Sequence, residues 1–260
     1  MVMHNDEKNC GDFYCESMRV LERAGVQFLV GGAYALAYYT GISRDTKDFD
    51  LFLYPADVDL ALEAFERAGY EAEKTFPHWL AKVKCGTNTI DLIFRAGNGL
   101  CAVDDSWFAR AQSAELLGAA VQLCAPEEIL WMKAFVMERE RYDGADVAHL
   151  FQSCAEGIDW SHLLERFGQD WEVLLSHLVL FGYIYPSERS RIPKSVMEEL
   201  VQRMRNEPAQ QGERICRGTL LSRAQYLIDV KERGFRDARL ESRVQMGPVE
   251  IREWTKAIGQ

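Results

Sequence analysis

The chain has 260 residues and a formal net charge of −10, with 48% hydrophobic and 27% charged residues. That composition is ordinary for a globular protein with one large domain or two smaller ones. It argues against a broad nucleic-acid surface, which depends on Lys and Arg neutralising phosphates, and the lack of any run of 18 apolar residues argues against a membrane span.

Met1 to Cys15 is polar and acidic, without the basic segment and apolar stretch of a secretory signal. The seven cysteines are odd in number and contain no Cys-x-x-Cys pair, which fits reduced thiols in a cytoplasmic protein. The five histidines form no close pair suited to zinc.

A helix is predicted over residues 10–25, stopped at Gly25, followed by a strand from Val26 to Val30. Gly31-Gly32 breaks that strand, and Ala33 to Tyr39 has helical spacing up to Gly41. A polar loop from Ser43 to Lys47 leads into a second strand, Asp48 to Leu53. Pro55 suits a helix start, and an amphipathic helix runs to Gly69. Trp79–Lys84 and Thr89–Phe94 read as a hairpin around Gly86 to Asn88. The order helix, strand, helix, strand, helix, strand, strand suggests a small mixed-sheet α/β domain.

A short helix over Asp105–Ala111 and a strand over Gly118–Leu123 follow. From Pro126 the pattern turns helical, with acids in the first turn complementing the helix dipole. Further helices are predicted over Gly144–Ser153, Trp160–Phe167, Asp170–Phe181 and Pro193–Arg205. A linker from Asn206 to Gly212 precedes an Arg-rich tail with a helix over Ser222–Arg233. The expected domains are 1–124, 125–205, and a linker and partly helical tail over 206–260.

The second strand carries the chemistry. Alternation puts Asp48 and Asp50 on one face, about 7 Å apart, and Phe49, Leu51 and Leu53 on the other. Two such carboxylates stay ionised together only near positive charge. Magnesium takes oxygen ligands of this kind, one or two carboxylates plus substrate phosphates. Asp91 lies inside the β-prone run Thr89–Phe94, where an acid is disfavoured unless it joins a polar site. The expectation is that Asp48, Asp50 and Asp91 converge beside the Gly31-Gly32 turn, which would let backbone N–H groups approach a phosphate. The bland alternatives are a turn residue, a solvated strand acid and a plain tight turn.

A Gly-Gly turn opening a helix, Asp-x-Asp on the next strand and a lone Asp on a later strand resemble the nucleotidyltransferase superfamily, the DNA polymerase β-like fold. Arg44-Asp45-Thr46-Lys47-Asp48-Phe49-Asp50 is most similar to its aminoglycoside nucleotidyltransferase and AbiEii-type toxin branches, over roughly residues 20–150. The resemblance implies an α+β fold: a small mixed-sheet nucleotidyltransferase domain with a C-terminal helical domain. It implies that Asp48, Asp50 and Asp91 bind Mg2+ or Mn2+, with Asp91 taking a proton from the acceptor hydroxyl. The nucleotide-binding candidates are Gly31, Gly32, Arg44, Thr46 and Lys133, against the alternatives of an exposed loop arginine and a lysine snorkelling from an apolar helix. Arg139, Arg141, Asp143 and Asp146 loosely match an AbiEii-like pattern, although Asp143 also suits a helix cap.

The implied reaction moves an NMP from an NTP to a hydroxyl of a small molecule, an RNA end or a protein. The rival is a non-catalytic nucleotide-binding or toxin–antitoxin interaction module that keeps the fold. His78, Trp79, Tyr34, Tyr38 and Tyr39 are read as packing aromatics. Neither a Gly-x-Ser-x-Gly elbow nor a P-loop is present in the sequence.

Overall fold

The structure is a computed structural model that describes residues 5–46, 48–208 and 212–257, with side chains from residue 12 onward. The chain divides into two compact units, Met1–Ala125 and Pro126–Gln260.

In the first unit, α1 (Asn5–Arg23), β1 (Leu29–Val30), α2 (Gly32–Thr40), β2 (Asp48–Phe52), α3 (Val58–Arg67) and β3 (Glu71–Phe76) are followed by β4 (Leu80–Cys85) and β5 (Asn88–Ile93). Next come α4 (Asp105–Ala109), β6 (Gln112–Leu116) and β7 (Ala119–Leu123). Among the described residues these strands form one seven-stranded mixed sheet in the order β3-β4-β5-β2-β1-β7-β6. The pairs β2–β5 and β1–β7 are parallel, and the other pairs are antiparallel.

The period of two in each strand separates the faces. Phe49, Leu51, Ile90, Leu92, Ala81 and Val83 are fully buried and pack with Tyr14, Leu21, Ala61 and Phe65 from α1 and α3. Tyr14 stacks on Phe49 at 4.7 Å, and Tyr34 meets the same ring edge-on at 5.1 Å. The other face carries Asp48, Asp50, Thr89, Asp91, Lys82 and Lys84. At its far end Phe52 stacks on the fully buried Trp107 of α4, so an apolar contact closes that end.

Two strands depart from the sequence expectation. The β3 segment Glu71–Phe76 and the β6 segment Gln112–Leu116 are polar edge strands, and charge on an edge is how natural sheets discourage pairing with other chains. Their low apolar content hid them. The expected strand from Val26 shrinks to Leu29–Val30.

The second unit contains α5 (Pro126–Ala134), α6 (Gly144–Cys154), α7 (Trp160–Phe167), α8 (Trp171–Ile184) and α9 (Lys194–Asn206). Its core includes Leu130, Leu150, Phe151, Leu163, Phe167, Leu174 and Phe181. Buried Glu128 takes hydrogen bonds from His162 (2.7 Å) and Arg166 (3.1 Å), and Arg166 lies 4.8 Å from the centre of the Trp131 ring.

Its last part holds β8 (Ile215–Cys216), α10 (Leu227–Lys231), β9 (Arg236–Asp237) and α11 (Pro248–Lys256). The β8–β9 pairing is parallel and lies within 206–260, the segment expected to be a linker and partly helical tail. The helix predicted over Ser222–Arg233 is only Leu227–Lys231, because Ser222 and Arg223 bind Glu138 instead. Asn206 ends α9, and part of the predicted linker lies outside the described residues. Among the described residues no helix is long and apolar enough to cross a membrane.

Candidate active site

The site begins where β1 ends. The Gly31 N–H donates to the Asp50 carbonyl at 3.0 Å, and α2 starts at Gly32. Gly32 has φ +54, a region that favours glycine. A Cβ on Gly32 would lie 1.6 Å from Asp50 Oδ2, and one on Gly31 would lie 2.2 Å from the Phe52 ring. The two glycines are therefore the surface on which the Asp50 carboxylate and the Phe52 ring rest. That carboxylate sits at the positive end of the α2 dipole.

In the parallel pairing of β2 with β5, Asp50 is opposite Asp91 and Asp48 is opposite Thr89. Opposite residues share a face, so the two strands bring Asp48, Asp50 and Asp91 onto one side of the sheet. Antiparallel β4 places Lys82 opposite Asp91, and its Nζ donates to Asp91 Oδ1 at 2.7 Å. Burial pushes the Asp91 carboxyl above its ordinary pKa. The Lys82 bond opposes this shift, and the nearby Asp48 charge adds to it.

Thr46 prepares the strand entry. Its hydroxyl donates to the Asp48 carbonyl at 3.0 Å and accepts from the Asp48 N–H at 3.2 Å. Arg44 is exposed on the same loop, and Lys47 lies outside the described residues.

Lys133 belongs to the second unit. It is not a lysine snorkelling from an apolar helix, because its Nζ is 2.9 Å from Asp143 Oδ2 and 2.8 Å from Asp146 Oδ2. Asp143 stands at the start of α6 but makes no capping hydrogen bond. Its carboxylate takes Lys133 and a two-point contact from Arg141 instead. Burial alone would raise the Asp143 pKa, but Arg141 and Lys133 together hold it below the ordinary value.

Apart from Tyr38, the aromatics read as packing residues have such contacts. Buried His78 pairs through Nε2 with the Gly97 carbonyl at 3.0 Å, Trp79 stacks on Phe76 at 5.7 Å, and Tyr39 donates to the Cys124 carbonyl at 2.9 Å. Tyr38 is exposed. Sequence reasoning missed Lys82 and its neighbour Glu73. The alternating WLAKVK run held the signal, but only the register says which lysine meets Asp91.

Among the described residues no three His, Cys, Asp or Glu side chains converge closely enough to hold a metal unaided. A ready-made cage is not what a magnesium site needs, since the ion keeps waters and takes oxygens from substrate phosphates. Adjacent carboxylates on one face match the oxygen-donor chemistry of a hard divalent cation.

No curated protein matches the sequence. Among solved structures, the chain is similar to the antibiotic-resistance factor ANT(2'')-Ia, with 14% identity, 65% of this chain and 97% of that chain covered, and a TM-score of 0.45. It is similar to an antigenic nucleotidyltransferase-like protein from Paracoccidioides brasiliensis, with 18% identity, 70% and 94% covered, and a TM-score of 0.45. It is also similar to the lincosamide antibiotic adenylyltransferase LnuA bound to lincomycin, with 14% identity, 54% and 94% covered, and a TM-score of 0.39. With TM-scores below 0.5, these likenesses carry no argument about what the chain acts on. The family model described as "Uncharacterised nucleotidyltransferase" matches residues 18–176, more than half of the chain. The chain belongs to that family and is an NTP-dependent nucleotidyltransferase.

Proposed function

We propose that this nucleotidyltransferase moves a nucleoside monophosphate from an NTP to a hydroxyl group, with Asp48, Asp50 and Asp91 as ligands of magnesium or manganese. The single observation that supports this reading best is the opposition of Asp50 and Asp91 across β2 and β5, with Asp48 one step along the same face. The divalent ion, when bound, supplies Lewis-acid stabilisation of the charge that develops on the phosphate oxygens.

The chain's own residues do the rest. Asp91 accepts the proton of the acceptor hydroxyl, and its raised pKa suits a base better than a fully solvated carboxylate would. The acceptor oxygen forms a bond to the α-phosphorus, and the bond from that phosphorus to the pyrophosphate oxygen breaks. Gly31 and Gly32 bring backbone close to the phosphates at the start of α2. Thr46 fixes the strand entry through the Asp48 backbone, and Arg44 stands on the same loop as a phosphate or acceptor contact.

The net charge of −10 favours a small acceptor over a long nucleic acid. The test incubates the protein with ATP, GTP, CTP or UTP labelled at the α-phosphate, magnesium, and either an aminoglycoside panel or total tRNA. Label on an antibiotic supports the small-molecule reading, and label on tRNA discards it. Transfer that survives in Asp50→Asn discards the catalytic assignment.

A further inference from the structure

We infer that Lys82 is a placeholder cation for Asp91: it holds that carboxylate until a divalent ion takes its place, then turns across the sheet to Glu73. The inference rests on the metal-binding reading above and deepens it. Four residues stand in one row across four strands, Glu73 on β3, Lys82 on β4, Asp91 on β5 and Asp50 on β2. Opposite residues share a face, so all four project to the same side. Lys82 therefore has a carboxylate on each side. It donates to Asp91 at 2.7 Å, while Glu73 accepts from Lys84 at 3.0 Å.

An ammonium on a carboxylate oxygen occupies a position that a divalent cation would otherwise take, and the two positive charges repel if both are present. The Lys82 side chain keeps 26% of its surface exposed and that of Asp91 keeps 14%, so the pair is reachable from solvent and can exchange. A lysine has the flexible stem for such a swing, which a rigid guanidinium lacks. Glu73 is exposed, with 52% of its side chain accessible, and can take a second ammonium beside Lys84. The arrangement gives the acidic row a positive partner before metal arrives and a second acceptor for that partner afterwards.

The experiment measures Mn2+ affinity of the full chain by calorimetry and electron paramagnetic resonance with a saturating non-hydrolysable NTP and no acceptor, so the phosphates that complete the site are present and no catalysis is needed. Lys82→Met is expected to bind Mn2+ at least about tenfold more tightly than the natural chain, because a nearby positive charge is gone. Glu73→Gln is expected to weaken binding about two- to threefold, a modest effect for an exposed pair, and to have no effect in the Lys82→Met background. Adding Asp91→Asn to both the natural chain and Lys82→Met is expected to remove the difference between them.

Circular dichroism and the urea midpoint establish that each variant is folded. Unchanged or weaker Mn2+ binding in folded Lys82→Met overturns the inference while leaving the metal site standing. An equal Glu73→Gln effect with and without Lys82 also overturns it, since it marks a general field and not an exchange. Mn2+ binding that ignores Asp50→Asn overturns the metal reading itself.

Discussion

Asp50 and Asp91 are direct neighbours across two parallel strands, although α3, β3 and β4 separate them in the chain. Parallel neighbours need a long crossover between them, and here the crossover also delivers Lys82 to the far side of Asp91. One register thus sets an acid pair and its cation together.

Removing either carboxylate is expected to abolish transfer without unfolding the chain. Asp91→Asn deletes the proposed base and should lower kcat about 100-fold or more. Its urea midpoint should stay close to that of the natural chain, because burial already disfavours the charged form. Steady-state kinetics beside urea titration checks this. A variant with near-natural kcat contradicts the role given to Asp91.

Gly32→Ala is expected to be worse than an ordinary glycine substitution. The new Cβ would fall on Asp50 Oδ2 at 1.6 Å, so the carboxylate must move, and the residue must also hold φ +54. Gly86→Ala makes the control: its φ is +60 but its Cβ would enter open space. Both should lose about 1 kcal/mol to backbone strain. Only Gly32→Ala should also lose activity and Mn2+ affinity. Equal activity in the two variants would show that Asp50 does not depend on this corner.

Lys133→Met is expected to destabilise the protein strongly. Asp143 and Asp146 keep only 10% and 5% of their side chains exposed, and both carboxylates rely on this ammonium. Removing one partner of a buried ion pair costs about 3–5 kcal/mol. Arg141 still serves Asp143, so the lower end of that range is expected. Adding Asp146→Asn to Lys133→Met should recover part of the loss. Urea unfolding of the single and double variants measures it, and a neutral Lys133→Met would show that the ion pairs carry no stability.

Acid is expected to weaken the chain through His177. Burial lowers this imidazole's pKa below its ordinary value, and the hydrogen bond with the Ala134 carbonyl only partly opposes the shift. The unfolded chain then takes up the proton first as pH falls. The stability tied to neutral His177 is complete above an unfolded pKa of about 6.5 and is lost as pH drops from there toward the lower folded value. Urea midpoints between pH 7.5 and 5.5 should fall less in His177→Asn than in the natural chain. Parallel curves for the two would contradict the assignment.

The shared face of Asp48 and Asp50 is legible because strand alternation is a short-range rule. Asp48-Phe49-Asp50 puts two carboxylates on one side in any sheet, and Gly31-Gly32 announces a corner. What the sequence does not carry is register. Nothing in the WLAKVK run says that Lys82, and not Lys84, meets Asp91, since both lie on the same face. The edge strands β3 and β6 escaped notice because their polar residues serve an exposed edge. Asp143 looked like a cap because its position before α6 is right, but two cations some distance away in the chain or next to it compete for the carboxylate and win. The tail helix was overextended for the same reason: Glu138 takes Ser222 and Arg223 out of it.

The most direct test is a crystal of the full chain soaked with Mn2+ and a non-hydrolysable NTP, read by anomalous diffraction. The expected result is a manganese peak at bonding distance from the Asp50 and Asp91 carboxylates, with the α-phosphate on the same face of the sheet and Lys82 no longer on Asp91. Nucleotide bound elsewhere, or bound here with manganese away from both carboxylates, would contradict the account.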